Sequence, residues 1–179
     1  MGLLTHEDIM IRFLRHLSHT VLALALSGGI APKAIAQDIE TFGAWTKFCN
    51  GEGEAQTCLI SQVLQDTDGN NVAEVSIADV IDGGDTVGAI SIATPLNTLL
   101  LPGVRFKVDE FDESRLPFNF CQPGGCVVQI GLTQDNIDAF IGATAAAVTI
   151  VPVATPNTEV ALTLSFEGFT TAFTSLQPE

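Results

Sequence analysis

The chain has 179 residues and carries 7 Lys and Arg against 21 Asp and Glu, a formal net charge of −14 at pH 7. So acidic a surface excludes nucleic-acid binding, because phosphate contacts need Lys and Arg to displace counterions, and it opposes docking on anionic lipid. The 3 histidines, His6, His16 and His19, all precede Thr20, and there is no tyrosine, so the rest of the chain cannot build a Ser-His-Asp or Cys-His site.

Residues 1–36 read as a secretory signal peptide. Arg12 and Arg15 form a positive leading region, Val21 to Ile30 a short apolar run broken by Gly28 and Gly29, and Ala34-Ile35-Ala36 a small-x-small cleavage pattern before Gln37. The run falls well short of the ~20 residues that a transmembrane helix needs. No cysteine stands near the cleavage site, which argues against lipid attachment there. Glu7 and Asp8 are unusual in a leading region, so Met10 is a second candidate start beside Met1. The expectation is one mature domain, 37–179, in the periplasm or at the cell surface. Its only bases are Lys47, Arg105, Lys107 and Arg115, and its acids number 19, so its formal charge is 4 − 19 = −15.

Past residue 37 the pattern predicts strands over 42–49, 58–64, 72–81, 86–93, 99–110, 116–121, 126–132, 145–153 and 158–166. Val160, Leu162, Leu164 and Phe166 alternate cleanly with polar neighbours, as do Val104, Phe106 and Val108, the period of a half-buried strand. Turn residues separate the runs at "QDTDGNN" (65–71), "DGGD" (82–85), "DEFDES" (109–114) and "PNT" (156–158). Between the strands, 133–142 reads as a helix. Thr133 is its N-cap, Asp135 lies in its first turn, and Ile137, Phe140 and Ile141 share a face. A second short helix is predicted over 169–176, with Phe169, Ala172, Phe173 and Leu176 on one side. Many short strands at this spacing point to a β-sandwich or barrel.

The 4 cysteines all lie in the mature part: Cys49, Cys58, Cys121 and Cys126. An even count in an exported chain reads as disulfides. Three pairings are possible and the two local ones are favoured. In "CQPGGC" Pro123 presets one turn angle and Gly124 and Gly125 accept positive φ. Cys49 and Cys58 flank the polar loop "NGEGEAQT". A zinc site would need tighter spacings than these, and a redox pair would need C-x-x-C at a helix N-terminus.

Other candidates are weaker. Asp66, Asp68 and Asn70 alternate as in a calcium loop, but Asn71 stands where that loop needs glycine and Ile77 where it needs Glu, so an Asp-Gly hairpin is the better reading. Asp109, Glu110, Asp112 and Glu113 cluster beside Arg105, Lys107 and Arg115. This cluster leaves room for weak divalent-cation binding, though nothing specifies a catalytic carboxylate pair. Trp45, the 1 tryptophan, reads as a core residue packed near a disulfide.

Trp45 and Cys49, then "CLISQ" (58–62), "ATPLNTLLLPGVRFKVD" (93–109), "LPFNFCQPGGCVVQIGL" (116–132) and "LTLSFEGFTTAF" (162–173) occur in an order that resembles the bacterial invasion-associated locus B family. The likeness spans nearly the whole mature chain. Its most specific parts are the "PFxxCxPGGC" segment and the "SFEGFTTAF" ending. One departure is Asn97, after Pro95-Leu96, where the family often has glycine; Asn also tolerates positive φ. The resemblance implies an exported bacterial protein with an immunoglobulin-like antiparallel β-sandwich, and it brings no catalytic residue. Its founding member is linked to host-cell invasion, while relatives also occur in free-living bacteria.

The expected function is therefore that of a non-enzymatic, exported binding or interaction protein of the bacterial envelope. It needs no cofactor and meets an unidentified protein, envelope or cell-surface partner. The alternatives are a periplasmic hydrolase working with carboxylates alone and a purely structural envelope component.

Overall fold

Alternating side chains decide where the sheets form. Val104, Phe106 and Val108 point inward from one strand while Arg105 and Lys107 point outward, and Leu162 and Leu164 do the same from another. The structure, a computed structural model, describes residues 39–80 and 83–177; the signal-peptide reading of residues 1–36 lies outside them.

In chain order the strands are β1 (Ile39–Phe42), β2 (Trp45–Asn50), β3 (Thr57–Gln65), β4 (Asn71–Asp79), β5 (Gly88–Thr94), β6 (Val104–Val108), β7 (Ser114–Leu116), β8 (Phe120–Gln122), β9 (Gly125–Leu132), β10 (Ala145–Ile150) and β11 (Val160–Ser165). Two helices join them, α1 (Gln134–Gly142) and α2 (Phe169–Thr174). A 7-stranded sheet runs β1-β2-β3-β4-β5-β9-β8 and a 4-stranded sheet runs β11-β10-β6-β7. All the pairings are antiparallel, and the two sheets enclose one core as a β-sandwich.

Most predicted elements are present with shifted ends, and three differ. The run predicted over 42–49 is broken at Gly43 and Ala44 into β1 and β2. The run over 116–121 is broken by residues 117–119. The first part of 99–110 is a loop, because Leu99 bonds to Val151 and Gly103 turns back on Leu100 before β6 begins. For α1 the cap is as read: the Thr133 side chain accepts from the Asn136 amide, and the Asn136 side chain accepts from Thr133, a reciprocal capping box.

The two sheets are stitched along one flank. β11 is an edge strand, and the outer edge of Ser165 would be open to solvent or to another strand. Gln62 of β3 covers it. The Gln62 side-chain Oε1 accepts from the Ser165 N–H at 2.9 Å and its Nε2 donates to the Ser165 carbonyl at 3.0 Å. The Trp45 indole N–H donates to that same carbonyl at 3.0 Å. One step on, the Ala44 N–H donates to the Glu167 carbonyl at 3.0 Å. The backbones approach so closely here that a Cβ on Gly168 would lie 2.2 Å from the Phe42 carbonyl oxygen, and one on Gly43 would lie 2.5 Å from that of Glu167. Both glycines have positive φ, 59° and 80° for Gly43 and Gly168, where only glycine is free of steric penalty.

This seam delivers the chain's last aromatics into the core. Phe169 is 1% exposed and Trp45 0%, and their ring centroids lie 5.4 Å apart. Phe140 of α1 stacks on Phe166 at 5.0 Å and meets Phe169 edge-on at 5.8 Å. Lys47 then donates to the Ser175 carbonyl at the end of α2, at 2.8 Å, placing a cation at the negative end of the helix.

Two substitutions test the seam. Gly168→Ala should destabilise the protein by more than about 1 kcal/mol, since the left-handed backbone and the Phe42 carbonyl both oppose a Cβ. Gln62→Ala should cost about 1–3 kcal/mol by leaving the Ser165 N–H without its partner and the Ser165 carbonyl with Trp45 alone. Urea unfolding monitored by Trp45 fluorescence measures both; wild-type midpoints would contradict the seam.

Candidate functional site

Each disulfide lies across a hairpin between directly opposed residues. Cys49 and Cys58 face each other across β2 and β3, and Cys121 and Cys126 across β8 and β9. In the second hairpin Pro123 and Gly124 occupy the turn. The expectation that both glycines take positive φ holds for Gly125, with φ 150°, and not for Gly124. Gly125 is required by a close approach: a Cβ there would lie 2.4 Å from the Thr94 carbonyl oxygen. Among the described residues no cysteine is free, and the two pairings are the local ones favoured from the sequence. Trp45 is core, as read.

The structure does not draw together the acidic residues for which weak divalent-cation binding was expected. The Asp109 carboxylate accepts from the backbone N–H groups of Thr144 and Ala145, at 2.8 and 3.1 Å, and so fixes the start of β10. Glu113 pairs with Arg105 at 3.5 Å, and Arg105 also bonds to Glu159. Asp112 stands apart at the mouth of a cleft. Among the described residues no group of three or more His, Cys, Asp or Glu is placed to hold a metal ion. The 66–70 turn is also occupied internally. The Asp66 carboxylate accepts from the amides of Asp68 and Asn70, each at 2.9 Å, and from the Asn70 side chain.

A cleft among the described residues was not foreseen from the sequence. It opens between the sheets on the flank opposite the seam, a cavity of about 230 Å³. Ile90 and Ile130 wall it from the large sheet, Phe106 and Leu116 from the small one, and Ala139 and Phe140 from α1. At its mouth stand Asp112, Ser114 and Asn136, all exposed. Phe111, in the β6–β7 hairpin, lines the cleft and is 60% exposed. An apolar interior with a few polar groups at the rim can hold the apolar part of a ligand and orient a hydrogen-bonding head.

The fold and cleft together define a small, disulfide-stapled antiparallel β-sandwich with an apolar inter-sheet cavity. Residues 45–177 match the family model described as Invasion associated locus B (IalB) protein, and the chain belongs to that family. It is similar to the crystal structure of invasion associated protein B from Bartonella henselae. The two share 21% identity with a TM-score of 0.64, over 77% of this chain and 93% of that one; at this identity the likeness speaks for the fold. A search of curated proteins finds no match.

Asp66 supplies a pH signature. Hydrogen bonds from the Asn70 side chain and then the Asn70 backbone hold its carboxyl below the usual Asp range. A depressed carboxyl stabilises the folded turn above the unfolded-state pKa, about 3.9, and that contribution is lost as pH falls through the lower folded value. In a carboxyl NMR titration, Asp66 should titrate below ordinary Asp, and the Asp68 and Asn70 amides should lose protection in step. A midpoint at or above the ordinary value would contradict the turn geometry.

Proposed function

We propose that this chain is an exported, non-enzymatic binding protein of the bacterial envelope, with 37–179 as its mature domain and the inter-sheet cleft as its binding site. Two staples of the kind kept in oxidising compartments support export, and so does the family. The absence of His after residue 19 supports a binding role over general-base chemistry. So does the commitment of the Asp109 and Glu113 carboxylates to backbone amides and to Arg105.

The observation that carries the reading is the cleft itself: a cavity of about 230 Å³ with apolar walls from both sheets and from α1. A packed sandwich of this size has few voids larger than a water, so a cavity with an outward-turned Phe111 and a polar rim fits a ligand. The ligand class is an apolar group carrying a cationic or hydrogen-bond-donating head that meets the Asp112 carboxylate.

N-phenyl-1-naphthylamine, a neutral apolar fluorophore with one N–H donor, is a suitable probe. Its fluorescence should rise saturably with one site per chain. Ala139→Phe, which fills the cleft from α1, should weaken binding about tenfold or more, as about 1.4 kcal/mol of lost contact requires. Equal binding by wild type and Ala139→Phe, with both folded by circular dichroism, would place the probe elsewhere and remove the cleft from the account.

A further inference from the structure

The two disulfides share their chemistry and differ in their setting. Cys49 and Cys58 lie inside β2 and β3, strands of 6 and 9 residues, and β3 is paired along its other side with β4. Both cysteines are half-buried, and Cys58 packs against the core. Without its S–S bond this hairpin keeps its ladder and its place in the sheet. Cys121 lies in β8, a strand of 3 residues, all exposed, at the edge of the large sheet. β8 pairs with β9 alone, and Pro117 and Pro123 on either side can donate no further ladder bond. A ribbon this short is marginal in water, so the S–S bond from exposed Cys121 to buried Cys126 is what holds it.

What β8 holds is one wall of the cleft. β7 is the last strand of the small sheet and β8 the last of the large one, so residues 117–119 cross from one sheet to the other on the open flank. The crossing starts after Leu116, which lines the cleft together with Ser114, and it carries Phe118, partly buried against the core. It ends at Asn119, whose N–H donates to the Val127 carbonyl at 2.9 Å and whose side-chain Oδ1 accepts from the Gln129 N–H at 2.6 Å. β7 itself is held to β6 by only 3 register pairs. The position of Leu116 relative to Ile130, the cleft wall on β9, is set through this strap.

We propose that the Cys121–Cys126 disulfide is a redox latch on the inter-sheet cleft, opened by an exported dithiol reductant and closed by re-oxidation. The inference rests on the cleft being the binding site. A thiolate of the reductant attacks Sγ of Cys121, the exposed partner, and Cys126 leaves as a thiolate and takes up a proton. The reductant's second thiol then attacks the mixed disulfide, closes its own S–S bond and releases Cys121 as the second thiol. Two electrons pass from the dithiol to the cysteine pair. With the bond gone, β8 comes away from β9, the strap loses its fixed end, and Leu116 draws back from the apolar part of the ligand. The ligand is then held by fewer walls and leaves. Cys49–Cys58 takes no part, because β2 and β3 stand at the other side of the large sheet from β8 and β9.

The test uses the processed chain, N-phenyl-1-naphthylamine as ligand and dithiothreitol as the dithiol. At each dithiothreitol concentration the probe is titrated, circular dichroism is recorded, and free thiols are alkylated and mapped by peptide mass spectrometry. Cys121 and Cys126 should be alkylated before Cys49 and Cys58. Probe affinity should fall about tenfold in step with them, as expected for one lost apolar side-chain contact, while the β-sheet signal persists. Cys121→Ser/Cys126→Ala should bind as weakly without dithiothreitol and be indifferent to it. Cys49→Ser/Cys58→Ala should bind like oxidised wild type and still respond. Earlier alkylation of Cys49 and Cys58, unchanged affinity once Cys121 and Cys126 are reduced, or loss of the sheet signal in step with their reduction would each overturn the latch. Failure of the cleft looks different. Probe binding to oxidised wild type that Ala139→Phe does not weaken removes cleft and latch together, whereas binding that Ala139→Phe blocks and reduction leaves alone removes the latch only.

Discussion

The free edge of Ser165 is the point on which the sandwich depends. A two-sheet fold must keep its sheets in register across the core, and an edge strand must not be left open to other chains. Here one set of contacts does both. The Gln62 side chain satisfies the Ser165 N–H and carbonyl as a neighbouring strand would, and the Trp45 indole adds a second donor to the same carbonyl. Because Gln62 and Trp45 belong to the large sheet and Ser165 to the small one, hydrogen bonds as well as apolar packing join the sheets. The glycine contact between Gly43 and Gly168 then sets how close the sheets stand. It also directs the chain into α2, so that Phe169 and Phe173 enter the core.

With one flank fastened in this way, the opposite flank is left to side-chain packing. There β9 faces β6 and β7 with Phe111 turned outward at the rim, and α1 closes only part of the gap. The cleft is the consequence: a core that is complete at the seam, with Trp45, Ile60 and Leu164 at 0% exposure, and incomplete where the short β7 ends the small sheet. The polar groups at the cleft mouth come from the β6–β7 hairpin and from the outer side of α1. These are segments that can vary without disturbing the seam.

Much of the fold was legible in the sequence because it is local. The alternation in β11, the cap at Thr133 and the two hairpin disulfides each rest on residues a few positions apart. What could not be read was long-range. Gln62 and Ser165 are 103 residues apart and Trp45 and Ser165 are 120 apart, and no period or spacing links a glutamine in one strand to the edge of another. Asp109 looked like part of an acidic surface cluster because its partners, the amides of Thr144 and Ala145, lie 35 and 36 residues on. The run Leu99–Leu101 reads as strand by composition, and only the bond from Leu99 to Val151 and the turn of Gly103 back on Leu100 make it a loop. The cleft was invisible for a related reason: Ile90, Phe106 and Phe140 each look like ordinary core residues, and a void between them is a property of packing.

Native-state amide hydrogen exchange tests the central claim most directly, because it reads the seam and the open flank in one protein. If the Gln62 and Trp45 contacts fasten the two sheets, the Ser165 amide should exchange only through global unfolding, at the same free energy as the central amides of β3 and β4. The Phe111 amide, bonded to Val108 in the hairpin at the cleft rim, should exchange through local opening at a much lower free energy. A Ser165 amide that exchanges as readily as Phe111 would mean that the edge of β11 frays on its own, and that something other than this seam holds the sandwich closed.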